Sequence, residues 1–224
     1  MTPSLPWHRR VLRWLFALLL FPFCVGASWA VVDLIAATGS ALHFWMPFLA
    51  GAVCWLVVFF SLPKPMWVYV VGHELTHALW AMLFGGRVRK IKVSSTGGHV
   101  VVTKSNSLIV LAPYFFPLYA VVWTGLFLVL GLWLDTRRIL PGFHLGLGAA
   151  YSFHLSLTIH VLRTGQPDLR GEGWLFSVML IWFAHAMVLL VALPALTHRI
   201  GVPTALGWAL DRTVRVLGEG MRWR

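Results

Sequence analysis

Apolar residues run almost unbroken through six stretches of this chain, and the polar residues gather in the gaps between them. The stretches cover residues 11–36, 43–61, 66–84, 108–134, 143–162 and 174–196. Each is close to the ~20 residues that carry a helix across the hydrocarbon core of a bilayer. The pattern therefore predicts about six transmembrane helices.

The gaps differ in kind. Residues 85–107 open with GGRVRKIKVSSTGGHVVV, where Arg87, Arg89, Lys90 and Lys92 are interleaved with Val88, Ile91 and Val93. A Gly97-Gly98 pair follows, then Val100, Val101 and Val102. β-Branched runs bounded by paired glycines read as a short β-hairpin at the membrane surface. Residues 163–173, RTGQPDLRGEG, carry a proline and three glycines and are expected to break any helix; residues 135–142 are expected to be a short connection. In the tail, Leu206, Leu210, Leu217 and Met221 recur at helical spacing, with Arg212, Arg215, Arg222 and Arg224 elsewhere. That predicts an amphipathic helix in the membrane interface, a plain basic tail being the alternative. The expected fold class is an all-α multi-pass membrane protein. Its single polytopic domain spans 1–202, with a core at about 66–196, and an interfacial tail spans 203–224.

Composition sharpens this. Of 224 residues, 59% are hydrophobic and only 11% charged, with mean hydropathy +0.79, which leaves too little polar surface for a soluble domain of this length. The formal net charge of +11 would suit nucleic acid, but Lys and Arg cluster at the ends of the apolar runs. There they face lipid headgroups, so membrane lipid is the expected partner and nucleic acid is not. Arg9, Arg10 and Arg13 precede the first run, and Ser28 and Ala30 would suit a signal peptidase. The run continues through Val31, Val32, Leu34 and Ile35, so the first span is expected to be retained. Cys24 and Cys54, both inside apolar runs, read as small core residues.

The third run contains chemistry: VVGHELTHALWAML places His73, Glu74 and His77 among apolar neighbours. Ionisable groups at membrane depth are costly, and they mark function by default. On a helix, residues four apart share a face, so His73 and His77 can offer ring nitrogens to one metal, and Glu74 can reach a metal-bound water as general base. Zinc lowers the pKa of such a water to about 7. The competing reading is a hydrogen-bonded polar seam between helices. A hydrolytic zinc site needs a third protein ligand. Asp33, Asp135, Asp211 and Glu219 lie at other span ends or in the tail, which leaves Asp168, Glu172 and the histidines at 99, 144, 154, 160 and 185. His154 and His160, six apart, face different sides of one helix, and His185 reads as a satisfied core histidine. Asp168 is preferred because two spans after the motif helix the chain returns to the same membrane face; His160 and Glu172 stay open.

HELTHAL within a span, GGRVRKIKV and GGHVVV just after it, and an Asp before a later span together resemble the site-2 protease family of intramembrane zinc metalloproteases. The resemblance covers about residues 70–181. It implies Zn2+ held by His73, His77 and Asp168, with Glu74 as catalytic base. It also implies a strand at Gly97, Gly98, Val100 and Val102 that holds the substrate extended. Where that family carries Asn-Pro-x-Pro and then Leu-Asp-Gly, this chain reads TGQPDL, and Gln166 is the counterpart of the family's Asn amide. The implied activity is hydrolysis of peptide bonds in or near transmembrane segments of membrane-protein substrates, with the bacterial inner membrane as the expected location. Thr76, Thr103 and Asn106 are candidate linings of a polar, water-admitting cleft, the equal alternative being ordinary polar loop and helix residues. The alternative from another class is a non-catalytic zinc-binding or metal-transporting membrane protein, which would leave the position of Glu74 unexplained.

Overall fold

The computed structural model describes residues 6–94, 97–164 and 166–222. The chain divides into two units: Leu42–Gln166, and Met1–Ala41 with Pro167–Arg224. All six apolar runs are helical. Among the described residues, four helices are long and apolar enough to cross a membrane: α1 (Trp7–Thr38), α2 (Leu42–Ser61), α6 (Thr136–Leu162) and α8 (Trp174–Thr197). A fifth is added if α4 (Ser107–Phe115) and α5 (Leu118–Leu130), bent by 72° at their junction, count as one span. The run over 66–84 forms α3 (Met66–Leu83), which falls outside this group. His73, Glu74 and His77 lower its hydropathy.

Within the unit 42–166, α2 and α6 lie along each other with their backbones almost touching. A Cβ on Gly51 would stand 1.9 Å from the Leu145 carbonyl oxygen, and one on Gly148 would stand 1.9 Å from that of Phe48. Missing side chains let backbones approach, the small-residue packing that holds helices together where lipid removes the hydrophobic drive. Trp55 Nε1 donates to Ser156 Oγ at 2.8 Å across the same interface. Helix α5 joins α6 through stacked Phe127 and Phe143, centroids 4.1 Å apart, and through Trp123 Nε1 donating to the Phe143 carbonyl at 2.9 Å.

The motif helix α3 ends where Gly85 adopts φ +70°; Gly85 N–H bonds to Met82 O and Gly86 N–H to Ala81 O. This is the paired closure a left-handed glycine allows. It turns the chain into β1 (Val88–Ser94), which pairs antiparallel with β2 (Gly97–Val102), as the sequence led us to expect. The register sets Lys92 opposite His99 and Val93 opposite Gly98, with an irregularity between Val88 and Lys90.

The pair α4–α5 breaks at Phe116, whose backbone is extended. Pro117 follows and disfavours a helical conformation for the residue before it. Two expected connections are corrected. Residues 136–142 are the first turns of α6, capped by the Asp135 carboxylate accepting from Arg137 N–H. Within 163–173 a short helix, α7 (Pro167–Glu172), forms despite the proline and glycines. Proline at the first helical position loses no hydrogen bond and has the right φ already.

The other unit holds α1, α7, α8 and the tail helix α9 (Val202–Arg222). Helix α9 turns Ala205, Ala209 and Thr213 inward and leaves Leu210 and Leu217 exposed. Thr213 fills the space where a Gly26 Cβ would be, so close packing on α1 selects the small residues rather than the leucines. Arg212 grips Asp33 of α1 through two hydrogen bonds, 2.7 and 2.8 Å. Cys24 is buried and Cys54 exposed; neither is in a disulfide.

Gly148→Val sets a side chain against the Phe48 backbone, which cannot swing aside. We expect a loss of about 3 kcal/mol, the upper end of overpacking costs, seen as a lower melting temperature in detergent. Gly125→Ala and Gly142→Ala, with nothing within 4 Å of the added Cβ, should melt like the wild type.

Candidate metal centre

Helix α3 presents His73 and His77 one turn apart, with Glu74 between them in sequence. The two Nε2 atoms are 3.1 Å apart. Two nitrogens bound tetrahedrally to one zinc at 2.0–2.1 Å would be separated by about 3.3 Å. The pair is therefore close to the spacing a shared metal ion requires, at a distance where the two rings hydrogen-bond to each other.

What sets His77 in this pose is a carbonyl. His77 Nδ1 lies 2.9 Å from Ile109 O, and since a carbonyl can only accept, Nδ1 carries the proton. The neutral ring then has its lone pair on Nε2, facing His73, which is the arrangement second-neighbour groups impose on metal-binding histidines. Ile109 can offer this oxygen because its ordinary helical partner would be the N–H of residue 113, and residue 113 is proline. The turn is fixed at its start by Asn106, whose side chain accepts from Ile109 N–H at 2.9 Å. His73 is walled by aromatic rings, with Tyr69 at 5.9 Å and Tyr114 at 5.2 Å between centroids.

Glu74 is 6% exposed, and β2 lies directly over it. A Cβ on Gly98 would come within 2.7 Å of Glu74 Cγ and 2.9 Å of its Oε1. Only glycine lets the strand come this close. Gly98, Val100 and Val102 alternate onto one face of β2, the face turned to α3, while Gly97 (φ +151°) sits at the turn opposite Ser94. On the far side of α3, Gly72 makes room for the Tyr119 ring, and Tyr119 OH donates to the Val68 carbonyl at 2.5 Å. Beside His73, α3, the α4–α5 break and α6 enclose a cavity of about 20 Å³. Its lining includes Tyr69, Thr76, Tyr119 and buried His154, enough space and polarity for one water. Irregular backbone at membrane depth is tolerated where it borders such a space.

Thr76 does line this cavity. Thr103 and Asn106 have structural roles: Thr103 Oγ1 accepts from Arg87 N–H at 2.8 Å at the hairpin base, and Asn106 caps α4. Among the other candidate ligands, Glu172 is held by Arg13 at 2.7 Å, His160 packs edge-on against Phe59 of α2, and His144 Nδ1 donates to His43 O at 3.1 Å. His99 is exposed on the hairpin. Gln166 donates to Val161 O at 3.3 Å and to Thr164 Oγ1 at 2.8 Å, within its own loop. Asp168, half-buried, stands in the first turn of α7 in the other unit. Sequence reasoning missed Ile109 and Pro113, for which the signal was a proline four residues after a potential acceptor. Comparison with protein-family models, with curated proteins and with solved structures finds no match.

Pro113→Ala returns an N–H that competes for the Ile109 oxygen. Loss of a metal ligand's orienting partner costs about 10- to 100-fold in metal affinity, and we expect at least a tenfold weaker hold on zinc in a chelator competition, with helix content unchanged.

Proposed function

We propose that the protein is an intramembrane zinc metalloprotease that cuts peptide bonds in or near transmembrane segments. The observation that carries this reading is the paired Nε2 atoms of His73 and His77, 3.1 Å apart, with Glu74, between them in sequence, buried under the face of β2. A metal-binding pair alone would not need Glu74; hydrolysis does. Two imidazoles and a carboxylate form a donor set that could hold a metal ion, so His73, His77 and Asp168 are the proposed ligands.

When bound, zinc polarises the scissile carbonyl and eases deprotonation of water. The residues do the rest. A helical peptide bond is shielded by its own hydrogen bonds, so a substrate must be drawn out straight; the free edge of β2 offers backbone groups for that. Gly98 brings the face of β2 against Glu74, so that a peptide extended along β2 would run near the base. Glu74 takes a proton from the attacking water and passes it to the leaving nitrogen as the C–N bond breaks.

Zinc per protein, measured in detergent-purified wild type and Asp168→Ala, tests the ligand set. We expect about one zinc in the first and little in the second; a folded wild type that takes up none when resupplied removes the enzyme. Glu74→Gln should keep its zinc and lose cleavage, whereas a carrier would still move metal. Gly98→Val should also keep zinc but lose about a hundredfold in turnover, the usual cost of displacing a catalytic group by about 1 Å.

A further inference from the structure

Arg87, Arg89, Lys90, Lys92 and Lys104 lie in and beside the hairpin, and from residue 75 to residue 134 the chain has no Asp or Glu. All five are exposed, and among the described residues none enters an ion pair. Positive charge so concentrated repels itself and attracts an anionic partner.

The strand register sorts these charges by face. Lys90 and Lys92, with their partners Val101 and His99, point one way; Ile91 and Val93, with Val100 and Gly98, point the other, towards Glu74. The hairpin whose β2 covers the proposed base thus carries a cationic row on its back, supplied by β1. The edge of β2 away from β1 pairs with no strand among the described residues. A bare edge on β2 and a cationic face on the adjoining β1 ask for a partner with backbone groups and carboxylates together.

We propose that the hairpin selects substrates bearing an acidic, extended segment next to the scissile bond, added as a third strand on the edge of β2. The inference rests on the protease reading above. Neighbouring strands lie about 4.8 Å apart, so an Asp or Glu on the outward face of the added strand falls beside His99. Lys92, one strand further at about 10 Å, is long enough to close that gap. A lipid phosphate could answer the charge, but it cannot pair in register with a strand edge.

The test uses the full-length, zinc-loaded protein in neutral detergent and three synthetic peptides. Each carries the same apolar transmembrane segment, flanked at the same positions by Asp, Ser or Lys. We expect kcat/KM for the acidic peptide to exceed that for the neutral one by about tenfold, with the preference fading as salt shortens the Debye length to about 3 Å at 1 M. The double variant Lys90→Glu, Lys92→Glu, with its zinc content checked, should reverse the order in favour of the lysine-flanked peptide. Equal rates on all three overturn this inference and leave the protease intact. So does equal cleavage combined with acceleration in phosphatidylglycerol over phosphatidylcholine vesicles, which would make the hairpin a lipid surface. No cleavage of any peptide by the zinc-loaded wild type removes the protease reading, and this inference with it.

Discussion

Pro113 has no N–H, and the Ile109 carbonyl is therefore without its usual helical partner inside an apolar setting, where an unmet acceptor is costly. His77 meets it with Nδ1–H. That exchange settles the tautomer of one ring, aims its Nε2 at the neighbouring histidine, and ties the motif helix to α4. Other features serve the same bond. Asn106 fixes the first turn of α4 so that the carbonyl points correctly, and Thr103 closes the hairpin that delivers the chain to Asn106. The pairing of the two histidines depends on a backbone atom as well as on the side chains that make up the motif.

The remaining geometry comes from side chains that are missing. Gly98 lets a strand press on Glu74, Gly72 lets an aromatic ring lie against the turn carrying His73, and Gly51 with Gly148 brings α2 and α6 to backbone contact. Each of these contacts is against something that moves little, whether main chain, a packed ring or a buried carboxylate. Packing of this kind gives positional accuracy because the neighbours have nowhere to relax to. Glu74 and β2 are held together in this way.

Local patterns were legible in the sequence and contacts made at a distance were not. The apolar runs became helices because length and hydropathy act within one segment, and His73, Glu74 and His77 could be read because four-residue spacing on a helix is local geometry. The hairpin followed from its glycines and β-branched residues for the same reason. The bend at Phe116 was hidden because Pro113 and Pro117 sit inside a run whose overall hydropathy suggested one straight span. Helix α7 was missed because Pro167 was read as a breaker when at a first position it is a starter. In α9 the leucines promised the buried face, yet contact with Gly26 favoured Ala205, Ala209 and Thr213, since size governs close approach and hydrophobicity does not. No pattern in the sequence marks a carbonyl such as that of Ile109 except the proline four residues later.

The two units are not arranged one after the other along the chain. Leu42–Gln166 is a single uninterrupted stretch, whereas the other unit is built from both flanks of it. During synthesis α1 therefore emerges well before α8 and α9 and has neither to pack against until the whole histidine-bearing stretch has been made. Its small-residue face, including Gly26 and Ala30, and its Asp33 carboxylate must wait in the membrane for partners more than a hundred residues downstream. Helices α2 and α6 can meet well before that. Biogenesis thus has a built-in order, with the unit 42–166 completed before the unit that flanks it in sequence can be closed by α8 and α9.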